Sequence, residues 1–268
     1  MGVPYAEVIG DPVEHSKSPV IHKFWLEQSG REGDYRRTRV TEESLAEYFR
    51  SRRQDSDWLG CNVTMPLKHA VVGHLDQVNE EVGRLGAVNC IKSNRRGGLY
   101  GTNFDAAAVL ETLVPYPWSG RAVLLGNGGA ARAALWALAL LGFEEIVVIS
   151  RAPDKALDMA GQLGIEVRVA DWSEIPGCHL LVNATPLGMA GFPPLPVRLS
   201  AIPDEGAVFE MVYNPLVTPL VSEARRRGLR VFDGLTMLIE QAAMSFVTFF
   251  NRGIDHGQRA EVRKVLES

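Results

Sequence analysis

Cysteine is scarce: the 268-residue chain has three, Cys61, Cys90 and Cys178. They stand far apart with no Cys-x-x-Cys spacing, which argues against a disulfide framework or a zinc site and leads us to expect no metal. A reducing cytoplasm suits such usage. Long apolar runs are lacking too. The longest, from Ala133 to Leu141, is too short to span a bilayer and follows Arg132. No basic-then-apolar signal opens the sequence, and Ala6 stands where a myristoylation signal needs Ser or Thr. There is no internal repeat, no low-complexity tract and no strong excess of either charge, the net being −4 with 22% charged residues. The expected protein is cytoplasmic, with neither a membrane nor a nucleic acid as partner.

What is present is more specific. Hydrophobic residues make up 46% of the chain, enough at this length for the core of one large domain or two smaller ones. The organising stretch is Val123-Leu124-Leu125-Gly126-Asn127-Gly128-Gly129-Ala130-Ala131-Arg132. Apolar β-formers run into a glycine turn, and an alanine- and leucine-rich helical pattern follows at once. Such a turn lets the backbone approach a pyrophosphate, and the helix start behind it offers unpaired N–H groups. A dinucleotide is the natural ligand; a tight turn that binds nothing is the alternative. The next strand, Glu145 to Ile149, leads into Ser150-Arg151-Ala152-Pro153-Asp154-Lys155. Enzymes that prefer NAD often place an acid here for the ribose. Arg151 and Lys155 instead suit a 2′-phosphate, hence NADP, unless they are simply a solvated basic helix start.

Before this region, Tyr5 to Ile9 reads as a strand, and His15-Ser16-Lys17-Ser18-Pro19 leads into a helix running to about Gly30, with Ser18 as its N-cap. Ser16, two residues earlier in the turn, could join Ser18 in binding a carboxylate. A helix is expected from Thr41 to Ser51. A strand from Trp58 to Val63 then runs through Asn62-Val63-Thr64-Met65-Pro66-Leu67-Lys68 into a further helix, gathering an amide, a hydroxyl and an amine at a strand end. Lys68 is either part of that cluster or a surface lysine. Ala87 to Lys92 and Leu99 to Gly101 read as a hairpin, followed by Asn103-Phe104-Asp105 and a helix from Ala106. Asp105 is either a favourable first-turn acid or a proton-transfer partner for Lys68. Strands at Ile165 to Val169, Cys178 to Val182, Ala207 to Met211 and Leu229 to Phe232 alternate with helices, so Val123 to Phe232 should form a doubly wound parallel sheet. From Leu235 onward the chain is mainly helical.

Taken together, the motifs at 15–19, 62–68, 86–89, 103–105, 126–132, 183–189, 212–215 and 234–241 resemble those of shikimate dehydrogenases, in order and across essentially the whole chain. The resemblance implies an α/β protein of two domains. Residues 1–104 with 235–268 would form an α/β substrate domain completed by C-terminal helices, and 105–234 a Rossmann-like, doubly wound NADP-binding domain. It implies reversible NADPH-dependent reduction of 3-dehydroshikimate to shikimate, on the route to aromatic amino acids, with Lys68 and Asp105 as the catalytic pair. Lys68, as an ammonium, would stabilise the growing negative charge on the carbonyl oxygen and supply the proton; Asp105 would orient the amine and bind the adjacent ring hydroxyl. Substrate ligands would be Ser16, Ser18, Thr64, Asn89, Tyr213 and Gln241. The cofactor NADP(H) would meet Gly126, Asn127, Gly128, Gly129, Ala130, Ser150, Arg151, Lys155, Thr185, Met189 and Gly234. The expected partner is a small-molecule substrate, with the chain acting as a monomer or homodimer. Phe104 stands where the family usually has Thr, which keeps a paralogous dehydrogenase of quinate or an aminoshikimate-like substrate in view, and a non-catalytic NADP-binding sensor is the remaining alternative. Glu210 stands where Asp is common, and Met244-Ser245 replaces a frequent histidine-containing pair.

Overall fold

The computed structural model describes residues 2–172 and 175–267. The chain divides into two compact units, Met1–Phe104 with Ile239–Ser268, and Asp105–Leu238. Among the described residues the strands form two six-stranded sheets.

In the first unit, β1 (Tyr5–Gly10), α1 (Ser18–Ser29), β2 (Asp34–Arg39), α2 (Leu45–Arg52), β3 (Trp58–Val63), β4 (Gln77–Val78), α3 (Glu80–Leu85), β5 (Cys90–Ser93) and β6 (Leu99–Thr102) follow in order. The sheet order is β2-β1-β3-β5-β6-β4. β1 pairs in parallel with β2 and β3, and β3, β5 and β6 run antiparallel in turn. β1 lies between two neighbours, and its side chains are buried throughout. That burial includes Glu7, whose carboxylate accepts hydrogen bonds from Tyr48, Thr38 and Arg52, with Arg52 Nε at 2.7 Å. The apolar core of this unit is formed by such residues as Ile9, Tyr48, Trp58, Leu67 and Ile91.

The second unit contributes most of α4 (Phe104–Leu113), then β7 (Arg121–Leu125), α5 (Gly129–Leu140), β8 (Glu145–Ile149), α6 (Pro153–Leu163), β9 (Arg168–Ala170), β10 (Leu180–Asn183), β11 (Ala207–Glu210), α7 (Pro219–Arg226) and β12 (Arg230–Asp233). All its strand pairs are parallel, in the order β12-β11-β10-β7-β8-β9. This is the doubly wound arrangement expected from the sequence, with strand order reversing between β7 and β10. The chain leaves the unit within α8 (Gly234–Phe250), and α9 (His256–Glu267) ends the described fold.

Several local expectations need correction. Ser18 is the first residue of α1 and not its N-cap: Lys17 holds that place without a side-chain bond, and the Ser16 hydroxyl accepts the Ser18 N–H at 3.3 Å. Asn62–Lys68 does not run into an α-helix. A turn at Thr64–Leu67 closes with a 3.0 Å bond from Leu67 N–H to the Thr64 carbonyl, and only a short 3-10 segment, Ala70–His74, follows. Pro66 has no N–H to give and restricts Met65 to non-helical backbone, which favours the turn. β9 starts at Arg168 and not at Ile165, because the Ile165 N–H is taken by the Ala160 carbonyl (3.0 Å) in a glycine C-cap at Gly164. β2 has no counterpart among the expected elements. Its Tyr35 is buried among exposed arginines, an edge-strand pattern that reads as polar surface.

Candidate active site

The strand ends of the first unit gather several of the residues singled out above. Thr64 N–H donates to the Ile9 carbonyl (2.9 Å), Val63 N–H to the Asn89 carbonyl (2.9 Å) and Val88 N–H to the Lys68 carbonyl (2.8 Å). The Thr64–Lys68 turn is therefore pinned between the end of β1 and the start of β5, with Asn89 beside it. Asn89 is buried, and its side-chain oxygen accepts the Phe104 N–H at 2.7 Å at the start of α4, which orients the amide. Asp105 follows in the first turn of α4 and is buried. Thr64 and Lys68 are half-buried, and Leu67 between them is anchored in the core.

A buried polar chain runs through other residues of this unit. The Tyr35 hydroxyl donates to the Asn62 side-chain oxygen at 2.6 Å. The Asn62 amide donates to the Asn89 carbonyl (3.1 Å) and to the Ser245 hydroxyl (2.8 Å). Ser245 in turn donates to the Gln241 carbonyl at 3.0 Å in α8. Asn89 and Gln241 are thus tied together, through their carbonyls, by Asn62 and Ser245, with Tyr35 at the end of the chain. Buried polar groups joined in this way hold one geometry, since breaking any bond strands a desolvated partner. Ser16 is held separately, its carbonyl accepting from Arg37 at 2.7 and 3.1 Å.

In the second unit the glycine turn sits at the point of strand reversal. Gly126 has φ +109°, donates its N–H to the Ile149 carbonyl at 2.8 Å, and would place a Cβ 3.1 Å from the Ala184 carbonyl oxygen. Glycine there serves the protein's own packing. Gly128 and Gly129 differ: a Cβ on either would meet nothing within 4 Å. Gly128 is the N-cap of α5, so this open space lies at the helix start, where N–H groups and dipole favour an anion. Asn127 and Ala130 flank it and are half-buried. These features fit a pyrophosphate. At the end of β8, the Ser150 hydroxyl accepts the Ala152 N–H (3.1 Å), and Arg151 and Lys155 are exposed beside the turn. The loop after β10 carries Thr185 and Met189, both half-buried. Tyr213 follows β11 and is half-buried; burial pushes its hydroxyl up from the usual tyrosine range. Gly234 has a packing cause, since a Cβ there would lie 2.3 Å from the Met211 carbonyl oxygen.

A family model for the shikimate dehydrogenase substrate binding domain matches residues 8–91. Over 98% of its length the chain is 45% identical to the shikimate dehydrogenase (NADP(+)) of Sphingopyxis alaskensis, covering 97% of that protein. The chain belongs to the shikimate dehydrogenase family. Its fold also matches a shikimate 5-dehydrogenase from Thermus thermophilus, solved in complex with NADP(H) and shikimate, at a TM-score of 0.88 and 37% identity, covering 98% of this chain and 99% of that one. A quinate dehydrogenase from Corynebacterium glutamicum, in complex with NAD, is similar at a TM-score of 0.87 and 26% identity, covering 99% of each chain.

Two sets of residues in this shikimate dehydrogenase family member were not legible as a site from sequence. Tyr35 and Ser245 lie 210 positions apart, on elements whose partnership needs the fold, and both bond to Asn62. Asn183, Glu210 and Thr218 form a buried polar cluster behind the loop after β10. For Glu210 the sequence signals are a lone acid at the end of an otherwise apolar strand, Ala207-Val208-Phe209-Glu210, and its place where the family commonly has Asp. Among the described residues no group of three or more His, Cys, Asp or Glu could hold a metal ion, and no helix is long and apolar enough to cross a membrane.

Proposed function

We propose that this chain catalyses the reversible NADPH-dependent reduction of 3-dehydroshikimate to shikimate. Near-full-length identity of 45% to a shikimate dehydrogenase (NADP(+)) carries the assignment. The glycine turn and α5 start hold the cofactor pyrophosphate, and Arg151 with Lys155 meet the 2′-phosphate. NADPH supplies the hydride that reduces the substrate ketone. Lys68 stabilises the developing oxyanion as an ammonium and delivers the proton to that oxygen. Asp105 accepts from the neighbouring ring hydroxyl. Ser16 and Ser18 bind the carboxylate through their hydroxyls, while Thr64, Asn89 and Gln241 bind the ring hydroxyls and the carboxylate, Asn89 and Gln241 standing on the Tyr35–Asn62–Ser245 chain. Tyr213 is a further substrate ligand, and Thr185, Met189 and Gly234 line the nicotinamide end.

The three cysteines are free and buried, which suits a reducing cytoplasm. The weak net charge suits a small-molecule partner rather than nucleic acid. The deciding experiment follows absorbance at 340 nm with purified protein, shikimate and NADP+, beside quinate, an aminoshikimate analogue and NAD+. Fast NADP+-dependent turnover of shikimate is the expected result. Preferential turnover of quinate would move the chain to the paralogous activity, for which Phe104 beside Asp105 is the motivating feature. Cofactor binding without turnover of any of these substrates would refute the enzyme assignment and favour a sensor.

A further inference from the structure

Glu210 ends β11 and is fully buried, yet every group near its carboxylate in the hydrogen-bond pattern is a donor. One oxygen accepts the Asn183 side-chain amide at 2.8 Å and the Val212 N–H at 3.0 Å. The other accepts the Thr218 hydroxyl at 2.9 Å. Asn183 passes this hold onward. Its amide also donates to the Leu187 carbonyl (3.1 Å), and its oxygen accepts both the N–H and the hydroxyl of Thr185, at 3.1 and 2.7 Å. The Thr185 hydroxyl then accepts the Leu187 N–H at 3.2 Å. One buried carboxylate therefore fixes the segment 183–187 at the end of β10 and, through Thr218, the N-cap of α7.

That segment lies against the glycine turn, with the Ala184 carbonyl 3.1 Å from the position of a Gly126 Cβ, where β7 and β10 diverge. Ligands of doubly wound sheets bind at this point of strand reversal. A carboxylate in a buried position is costly, and burial pushes Glu210 up to about 7 although its three hydrogen bonds all act to lower it. An apolar side chain here would leave the Asn183 amide, the Val212 N–H and the Thr218 hydroxyl without their acceptor. We propose that Glu210 is a positioning residue for the cofactor, acting through Asn183 to hold the 184–189 loop in the form that receives the nicotinamide half of NADP(H). The role rests on the NADP-linked function proposed above and adds a residue that touches neither substrate nor cofactor.

The test compares Glu210→Met, which keeps the length and removes both acceptors, with Glu210→Gln, which keeps one acceptor oxygen for Asn183 and Val212. In Glu210→Met the Kd for NADP+, measured by calorimetry, should rise about tenfold, equivalent to about 1.4 kcal/mol. The KM for shikimate at saturating NADP+ should stay within about twofold, since a loop acting on cofactor alone leaves substrate binding intact. Hydrogen exchange should quicken at residues 184–189 but not in β7 or β8. Glu210→Gln should recover most of the affinity. An unchanged Kd in folded Glu210→Met, an equal loss of both substrates, or no rescue by Gln would overturn the role. Should Glu210→Met not fold, Asn183→Ala cuts the same link from its other end and carries the same expectation. Calorimetry and exchange need no turnover, so they judge Glu210 even if shikimate proves not to be the substrate.

Discussion

His22 offers a test of how burial sets the response of this protein to acid. Its side chain is fully buried, stacked on Tyr35 at 4.0 Å with the rings 5° from parallel, and packed near Trp25 and Phe246. Neither ring nitrogen has a hydrogen-bond partner among the described residues. Burial pushes the imidazole down from 6.5 to about 3, so the folded protein keeps it neutral. The unfolded chain takes up a proton near pH 6.5 while the folded chain does not, so stability from this group is complete above about pH 6.5 and is lost as pH falls toward 3. The loss should reach about 2 kcal/mol by pH 5 and about 4 kcal/mol by pH 3, at about 1.4 kcal/mol per pH unit. Phe in place of His22 keeps an aromatic ring over Tyr35 and removes both the titration and two unpartnered buried nitrogens. Urea unfolding of wild type and His22→Phe, followed by circular dichroism at pH 8, 7, 6 and 5, isolates the effect because all other groups are shared. The stability difference should be constant from pH 8 to 7 and then grow in favour of Phe by about 2 kcal/mol at pH 5. Parallel pH curves would refute the reasoning and require a proton acceptor for His22 in the folded state.

Other consequences are as direct. Glu210→Gln should show the opposite pH sign. With a folded value of about 7, above the ordinary carboxylate range, the wild-type contribution is complete below about pH 4.5 and is lost as pH rises through 7, up to about 3 kcal/mol. The variant should therefore lose less stability than wild type between pH 5 and 8 in the same unfolding assay. Lys68→Ala should lower kcat about 100- to 10,000-fold with NADP+ affinity unchanged by calorimetry; an unchanged rate removes Lys68 from proton delivery. Arg151→Ala should weaken NADP+ about tenfold while leaving NAD+ unaffected, as removal of a phosphate partner requires. Glu7→Ala leaves Arg52, Tyr48 and Thr38 without their shared acceptor and should cost about 3–5 kcal/mol in thermal or urea unfolding.

Most of the architecture is legible in the sequence because the signals are local. The strand–glycine–helix pattern at 123–132 and the alternation of apolar runs to Phe232 specify a parallel doubly wound sheet without any long-range information. The hairpin of β5 and β6 follows from its turn, where Arg95 and Gly97 take positive φ. The differences fall where tertiary pairing overrides local pattern. β2 is mostly exposed, with Tyr35 its one buried residue, so its strand character comes from pairing with β1. The helix expected after Thr64 is displaced by a different cause, the local restriction that Pro66 places on Met65.

Sequence alone determined the family, the order of strands and helices in the nucleotide-binding half, and the residue types available for chemistry, because motif spacing and hydrophobic periodicity are properties of neighbours along the chain. Tertiary structure alone decided how those residues are held. Tyr35, Asn62 and Ser245 become one polar chain, and Asn183, Glu210 and Thr218 one latch, only when strands distant in sequence lie side by side. The physical reason is burial. A polar group removed from water must find its partner in the protein, and the fold determines which partners are within reach.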